Sequence, residues 1–258
     1  MGIRVTFDSN AWESIVDGNA SCLRDLIESK KISPYFCEIA LALESIQKAE
    51  REKFFKEYKP KIESEISSKI SCESTASGRV TIQPNMEAHP GMHPTPKKKF
   101  HEAIAIGFKI LPMTRLGTVR CNEINPDMRI EFHSTEEFWD YAEKLSICTD
   151  YIEELSCGAA EYFAIKDGKT HSKDSMQKTI QYIARRYPRA IAEWCDGDSL
   201  AAHYASGNQI FCTQDLGISS GKKSIFHPEN IRRFKERFNV HCLTMHDLQD
   251  FFSEMKST

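Results

Sequence analysis

Short apolar or alternating segments are separated along this chain by longer segments with apolar residues at every third or fourth position. The first pattern is typical of β-strands and the second of amphipathic helices. Strands are predicted at 3–7, 32–37, 209–213 and 240–243, and helices at 20–29, 38–58, 135–146, 149–163, 174–186, 190–206, 228–238 and after 244. Because strands and helices alternate, the pattern predicts an α/β fold with a mostly parallel central sheet.

The segment 59–134 does not follow this alternation. It contains a polar stretch, several prolines and the lysine run 97–99. It is too long to be an ordinary connection inside a compact domain, so we expect a large insertion. Short strands are predicted inside it at 79–83, 115–123 and 128–132. A single domain is expected over residues 1–258, with its core formed by 1–58 and 135–258.

The composition describes a globular chain without membrane or secretion signals. The 258 residues are 40% hydrophobic and 28% charged, and no apolar run reaches the roughly 20 residues of a membrane-spanning helix. The nine cysteines form no CxxC pair and the N-terminus has no signal-peptide pattern, which indicates reduced thiols in a cytoplasmic protein. A net charge of -3 gives the whole chain no strong attraction to nucleic acid and leaves only local basic patches.

Two predicted strands end in an acid, Asp8 and Asp215. Sites in open α/β sheets form beyond the carboxyl ends of strands, so both acids are expected in one crevice. Asp198 begins the helix that leads into the second of these strands, and Glu38 or Glu44 lies in the helix after the predicted strand 32–37. Several carboxylates in one small site repel each other unless a cation is present. Oxygen ligands of this kind suit Mg²⁺ or Mn²⁺.

Each acid also has an ordinary structural interpretation. Asp8 can be a turn residue, and Asp215 can lie in a solvated loop. Asp198 can be a first-turn acid that the helix dipole favours, and Asp196 can be the helix cap. The joint placement of the acids at strand ends, rather than any one of them, favours a site.

Two segments of the chain resemble PIN-domain nucleases. Phe7-Asp8-Ser9-Asn10 is similar to the opening hydrophobic-Asp-x-Asn motif of that family. The run from Asp198 through an alanine-rich helix and a hydrophobic strand to Thr213-Gln214-Asp215 resembles its late motif. The resemblance covers about 2–58 and 150–252.

The resemblance implies a three-layer α/β/α sandwich and a nuclease that cleaves RNA with Mg²⁺ or Mn²⁺. It assigns Asp8, Asp198 and Asp215 as catalytic, metal-binding acids, with Asn10 and Thr213 as supporting groups. Its acid in the second helix corresponds to Glu44 if Cys37 starts the helix, or to Glu38 if Ser33 caps it, and we favour Glu44. Asp196 is an alternate ligand. One or two ions would bind the scissile phosphate and activate a water for its hydrolysis.

Basic residues and partners are less sharply defined by the sequence. The candidates for substrate phosphate binding are Lys97, Lys98, Lys99, Arg185 and Arg186. The lysine run is expected in a solvated loop. The expected partners are RNA, an antitoxin or other protein, and a second copy of the chain, since many PIN nucleases resemble toxins of toxin–antitoxin pairs. The alternatives are a PIN-like module that binds RNA or protein without cutting, and a structure-specific DNA nuclease.

Overall fold

The computed structural model describes residues 2–47, 50–51, 53–54, 62–70, 76–84, 89–114, 119, 121–166, 176–215, 217 and 221–255. The strands are β1 (Ile3–Phe7), β2 (Ile32–Cys37), β3 (Ile62–Ile70), β4 (Ala76–Pro84), β5 (Lys109–Leu111), β6 (Ile210–Cys212) and β7 (Cys242–Leu243). The helices are α1 (Ser9–Val16), α2 (Ser21–Glu28), α3 (Glu38–Glu44), α4 (Pro94–Ile106), α5 (Thr135–Glu154), α6 (Ala160–Lys166), α7 (Met176–Ser206), α8 (Pro228–Phe238) and α9 (Met245–Glu254).

Five strands form a parallel central sheet in the order β5-β2-β1-β6-β7. The middle strand β1 pairs on one side with β2 and on the other with β6, which follows it by about 200 residues. Helices cover both faces, so the protein is a three-layer α/β/α sandwich. The predicted fold class is confirmed.

The two faces of β1 contact different helices because its side chains alternate. Phe7 points to the face of α1 and α4, where its ring lies 5.6 Å from Phe108 and the core continues through Phe36. Thr6 points to the opposite face, where its hydroxyl meets His203 of α7 at 2.9 Å. Both faces of β1 therefore pack against the core. This packing fixes the position of Asp8, the residue that follows the strand.

Several predicted helix starts are confirmed with their caps. The Ser134 hydroxyl accepts a hydrogen bond from the backbone of Glu137 at 3.1 Å, which starts α5. Thr244 and Asp247 form a reciprocal capping box at the start of α9. Pro228 occupies the first turn of α8, where its missing N–H costs nothing.

The segment 59–134 contributes to the central sheet as well as forming separate structure. Within it, β3 and β4 form their own two-stranded antiparallel sheet, in agreement with the strand predicted at 79–83. However, β5 pairs with β2, and α4 packs against α1 and α2. Three residues followed by Pro112 are too short to show a strand periodicity in the sequence. The part of this segment that stands apart from the core therefore ends before α4.

Other expectations also differ from the structure, among them the strand predicted over 128–132, where Pro126–Met128 form a 3-10 turn and Arg129 makes a single bridge to Ile110. The lysine run 97–99 lies in α4 instead of a loop, because Pro94 opens a helix there and Gly107 closes it at φ 114°. The helix predicted over 38–58 is interrupted after Glu44, where the carbonyl oxygens of Ala42 and Ser45 accept hydrogen bonds from His89 and His93. The two helices predicted at 174–186 and 190–206 form one helix, α7, that contains Pro188.

The described helices include none that combines the length and apolar character needed to cross a bilayer. The described cysteines are all free thiols. The strand predicted over 115–123 falls partly outside the described residues.

Candidate functional site

The carboxyl ends of β1 and β6 lie side by side, and each is followed by one of the predicted acids. Phe7 pairs with Cys212, and the backbone N–H of Asp8 continues the ladder by donating to the Cys212 carbonyl at 2.9 Å. Asp8 is only 4% exposed. Asp215 follows three residues after β6, so both acids lie at the same edge of the sheet, as predicted for a parallel arrangement.

The Thr213 hydroxyl joins these two acids. It donates to Oδ2 of Asp8 at 2.9 Å and accepts from the backbone N–H of Asp215 at 3.0 Å. Thr213 is itself fixed by a backbone hydrogen bond to Leu243 of β7 at 3.0 Å. It therefore orients the Asp8 carboxylate and the start of the Asp215 loop together. Asn10, the other predicted supporting residue, is exposed in the first turn of α1.

Glu44 lies beside Asp8 at the end of α3. The hydroxyl of Ser9 donates to its Oε2 atom. Burial raises the pKa of Glu44 to about 7, and the negative charge of Asp8 contributes to that rise. Arg51, whose guanidinium also donates to the Glu44 carbonyl oxygen, acts in the opposite direction and lowers this pKa.

Glu38, the alternative to Glu44, is engaged elsewhere. Its side chain is fully buried and forms a two-point ion pair with Arg129, at 2.8 Å from Nη2 and 3.2 Å from Nε. It also accepts a hydrogen bond from the Met113 backbone at 3.3 Å. Of the two alternatives, the structure brings Glu44 to Asp8.

Asp196 and Asp198 face different neighbours on α7, because residues two apart in a helix point about 200° apart. Asp198 is 2% exposed and its Oδ2 accepts a hydrogen bond from the Trp194 indole at 2.8 Å. Its charge raises the pKa values of the thiols of Cys37 and Cys148. Asp196 instead interacts with the acids at the sheet edge: its pKa is raised well above the usual value by burial first, and then by the charges of Asp8, Glu44 and Asp215, among others. The structure therefore groups Asp196 with these three acids, and it places Asp198 with Trp194.

The carboxyl groups of the site are shielded from water and lie near one another, and both conditions disfavour their ionised forms. Burial, with a smaller contribution from the charge of Asp215, raises the pKa of Asp8 to about 6. The hydrogen bonds from Thr213 and from the Ser9 backbone lower it only in part. The name acid cluster is used below for Asp8, Glu44, Asp196 and Asp215.

The predicted phosphate-binding lysines and arginines are held in ion pairs where the structure describes them. Lys99 donates to Glu13 at 2.9 Å and to Asp17 at 2.7 Å, which connects α4 to α1. Lys97 pairs with Glu123 at 2.6 Å, and Lys98 pairs with Glu102 at 3.7 Å. Arg186 pairs with Glu161. The Arg185 side chain lies outside the part of the chain that the structure describes.

The acid cluster fits a divalent cation in its donor chemistry. All four groups are carboxylates, the ligands that Mg²⁺ and Mn²⁺ prefer, and a cation would favour the ionised forms of Asp8, Glu44 and Asp196, whose pKa values are raised by burial and then by neighbouring charges. In the conformation present, no three carboxylate, imidazole or thiol groups among the described residues lie close enough together to hold a metal ion. Ser9 and Thr213 each bind one carboxylate of the cluster. Metal binding would therefore require at least one of these side chains to change rotamer.

Comparison of the chain with protein-family models, curated proteins and solved structures finds no match. The grouping of the acids therefore rests on the geometry alone. Sequence reasoning gave no role to Ser9, although it lies inside the quoted motif, and it did not identify Trp194 as the partner of Asp198. The pairing of Trp194 with Asp198 could have been predicted from the sequence, because residues four apart on a helix are neighbours.

Proposed function

We propose that the protein is a PIN-like, metal-dependent nuclease that hydrolyses RNA phosphodiester bonds. The observation that carries the proposal is the acid cluster at the carboxyl edge of a parallel sheet, where burial raises the pKa values of Asp8, Glu44 and Asp196 and the charge of at least one other member adds to each rise. Keeping such a group ionised at neutral pH needs a compensating cation. The choice of RNA comes from the resemblance of the two sequence segments to PIN nucleases.

The four carboxylates of the acid cluster would hold the Mg²⁺ or Mn²⁺. When bound, the ion supplies Lewis-acid stabilisation of the phosphate and lowers the pKa of a coordinated water. Thr213 keeps one oxygen of Asp8 in a fixed direction, and Ser9 does the same for Glu44.

A carboxylate of the cluster also accepts the proton of the attacking water. Water oxygen attacks phosphorus, the bond to the departing ribose oxygen breaks, and that oxygen takes up a proton. Glu44, whose pKa is about 7 in the metal-free protein, would accept this proton when the other three acids hold the ion, because a base works best when its pKa lies near the operating pH. We assign no step of the reaction to Asp198, because its Oδ2 accepts a hydrogen bond from the Trp194 indole.

Cleavage assays test the proposal. Protein freed of metal with a chelator is incubated with single-stranded RNA, a folded tRNA and branched DNA, each with Mn²⁺, with Mg²⁺ and with chelator. We expect metal-dependent cleavage of RNA that Asp8→Asn, Asp196→Asn and Asp215→Asn each reduce at least 100-fold. Asp25→Asn, a change at an exposed acid of α2, is the matched control and leaves the rate unchanged. Retained cleavage in both Asp8→Asn and Asp215→Asn would refute the site, and preferred cleavage of branched DNA would transfer the function to DNA.

A binding module without catalysis is the second candidate. It is favoured by the absence of three metal-ligating side chains in ligating distance among the described residues. Titration calorimetry separates the two functions: a nuclease of this kind binds Mn²⁺ with loss of binding in Asp196→Asn, whereas RNA binding without any Mn²⁺ binding supports the module. A toxin role with an antitoxin partner is a further proposal that rests on the resemblance, and co-purification from the native cell tests it.

A further inference from the structure

A pocket of about 400 Å³ opens directly beside the acid cluster. It begins at Thr213 and Asp215 and extends past the end of β7 to the first turns of α8 and α9. Its remaining lining residues are Phe226, Pro228, Ile231, Cys242, Leu243, Thr244 and Asp247. The volume is in the range of pockets that take small organic groups.

The walls of this pocket are built into the core. Phe226 is 3% exposed, and its ring lies 5.7 Å from that of Phe211 in β6. Gly217, at φ 64°, allows the loop after Asp215 to lie against the backbone of Phe226 and His227, because a Cβ atom there would approach the His227 nitrogen to 2.4 Å. The close backbone contact at Gly217 therefore determines how far Asp215 lies from Phe226 in the wall of the pocket.

The chemistry of the pocket is uneven. Its walls are apolar side chains, but Asp247 and Thr244 lie at one side. Hydrogen bonds from Thr244 lower the pKa of Asp247, so this acid is ionised at neutral pH. The hydroxyl of Thr244 donates to Oδ2 of Asp247 at 2.7 Å and accepts from the Asp247 backbone N–H at 3.1 Å, which leaves one lone pair of the hydroxyl oxygen to accept a further hydrogen bond. A flat apolar group with N–H donors on its edge matches this arrangement.

We propose that this pocket binds an unpaired nucleobase of the strand whose phosphate lies at Asp215, with preference for a base that carries an exocyclic amino group. This rests on the proposed function, since the pocket shares Thr213 and Asp215 with the acid cluster. Base faces bind apolar and aromatic walls with little dependence on sequence. The acceptors of Asp247 and Thr244 supply the discrimination, because cytosine and adenine present an amino donor where uracil presents a carbonyl acceptor.

The occupant is a base rather than an apolar side chain of a protein for two reasons. The pocket is continuous with a set of carboxylates that, with a cation, would bind phosphate. The acceptors of Asp247 and Thr244 at the rim of the pocket would accept hydrogen bonds from the amino group of a base, which an apolar side chain does not offer. Both reasons depend on residues of one sheet edge, from Asp215 to Asp247.

Binding of three oligonucleotides of equal charge tests the proposal without need for cleavage. They are eight cytidines, eight uridines and eight abasic ribose phosphates, each labelled with fluorescein and measured by anisotropy in Ca²⁺ at fixed salt. We expect cytidines to bind about tenfold more tightly than the abasic strand, which corresponds to about 1.4 kcal/mol, with uridines between the two. Because all three probes carry the same phosphates, a difference reports the bases.

Two variants of α8 locate the effect. Ile231→Trp fills the pocket and is expected to remove the preference for bases. Arg232→Trp introduces the same side chain one residue away, at a position 62% exposed, and is expected to leave it intact. Ile231→Ala, which enlarges the pocket without crowding, keeps the test valid if the larger side chain unfolds the protein, and it lowers the ratio of cytidine to abasic affinity several-fold.

The outcomes distinguish failure of the base pocket from failure of the proposed nuclease function. Equal affinity for the cytidine and abasic strands, or a preference that Ile231→Trp and Ile231→Ala leave unchanged, refutes the base pocket while the nuclease stands. Equal affinity for cytidines and uridines refutes the role of Asp247 and Thr244. Absence of binding by all three probes, together with absence of cleavage, overturns both proposals.

Discussion

The indole nitrogen of Trp194 donates to the carboxylate of Asp198 at 2.8 Å inside one turn of α7, and both side chains are buried. This bond provides an acceptor for the buried indole N–H, and a buried donor without an acceptor would cost free energy. We therefore expect Asp198 to act as a structural group and Asp196 to act with the acid cluster. The two acids are therefore expected to respond differently to substitution.

Substitution of Asp198 should affect stability, and substitution of Asp196 should affect metal binding. Asp198→Ala leaves the Trp194 N–H without its acceptor and should lower the free energy of unfolding by about 1–3 kcal/mol. Asp196→Asn removes a repelled charge, so the metal-free protein should be no less stable, but the rise in melting temperature with added Mn²⁺ should disappear. Calorimetric melting with and without Mn²⁺ measures both effects. The reverse pattern, in which only Asp198→Asn loses the response to Mn²⁺, would contradict this division.

Glu44 should make the metal-free protein less stable as pH rises. Its pKa is about 7 in the folded protein against a reference of 4.5, so the folded state binds more protons between these values. Stability then falls with increasing pH from about 4.5 to about 7. Glu44→Gln lacks this contribution, and its stability relative to the native protein should increase across that window and level off above it. Urea denaturation in the presence of chelator from pH 4.5 to pH 8 measures the difference in stability between Glu44→Gln and the native protein. A difference that decreases with rising pH would contradict the raised pKa of Glu44.

His203 should act on stability in the opposite direction. Burial lowers its pKa to about 3, assisted by the charges of Arg4 and His241, while its ring nitrogen bonds the Thr6 hydroxyl. Below about pH 6.5 this histidine is protonated in the unfolded state but not in the folded state. The free energy of unfolding therefore decreases as the pH falls from about 6.5 toward 3. His203→Gln should melt below the native protein at pH 7, with a gap that narrows toward pH 4. NMR titration gives an independent check, since protonation of this ring near pH 6 would exclude the mechanism.

The ion pair of Glu38 and Arg129 should be structural. Arg129→Met removes the charge that Arg129 supplies to the fully buried Glu38 and should lower the free energy of unfolding by about 3 kcal/mol. The double variant Glu38→Met/Arg129→Met removes both charges and should recover most of that loss, because apolar side chains can replace a buried ion pair. Chemical denaturation of the single and double variants completes the cycle. Equal losses in both would show that the two charges do not interact.

The sequence predicted the features of this protein that depend on nearby residues. β1 and the acid at its end follow from a local alternation and a local turn, and the caps at Ser134 and Thr244 follow from residues three positions apart. The end of α3 could not be predicted, because its last carbonyls are bound by His89 and His93 from a distant segment. β5 was missed because three residues show no period.

The acid cluster was only partly predictable for the same reason. A parallel sheet explains in advance why Asp8 and Asp215 meet. The choice between Glu38 and Glu44 depended on Arg129, which is about 90 residues away. The choice between Asp196 and Asp198 depended on Trp194, which local spacing alone could have revealed.

The placement of β1 between β2 and β6 has a consequence during synthesis on the ribosome. β1 emerges first, but its second neighbour, which begins at Ile210, emerges some 200 residues later. Until then one edge of the strand lacks its partner and is exposed to wrong pairing. The same delay keeps Asp8 apart from Asp196 and Asp215, so a nascent or truncated chain carries the acids in separate places. Whatever chemistry the assembled carboxylates perform is withheld until the chain has been translated past Asp215.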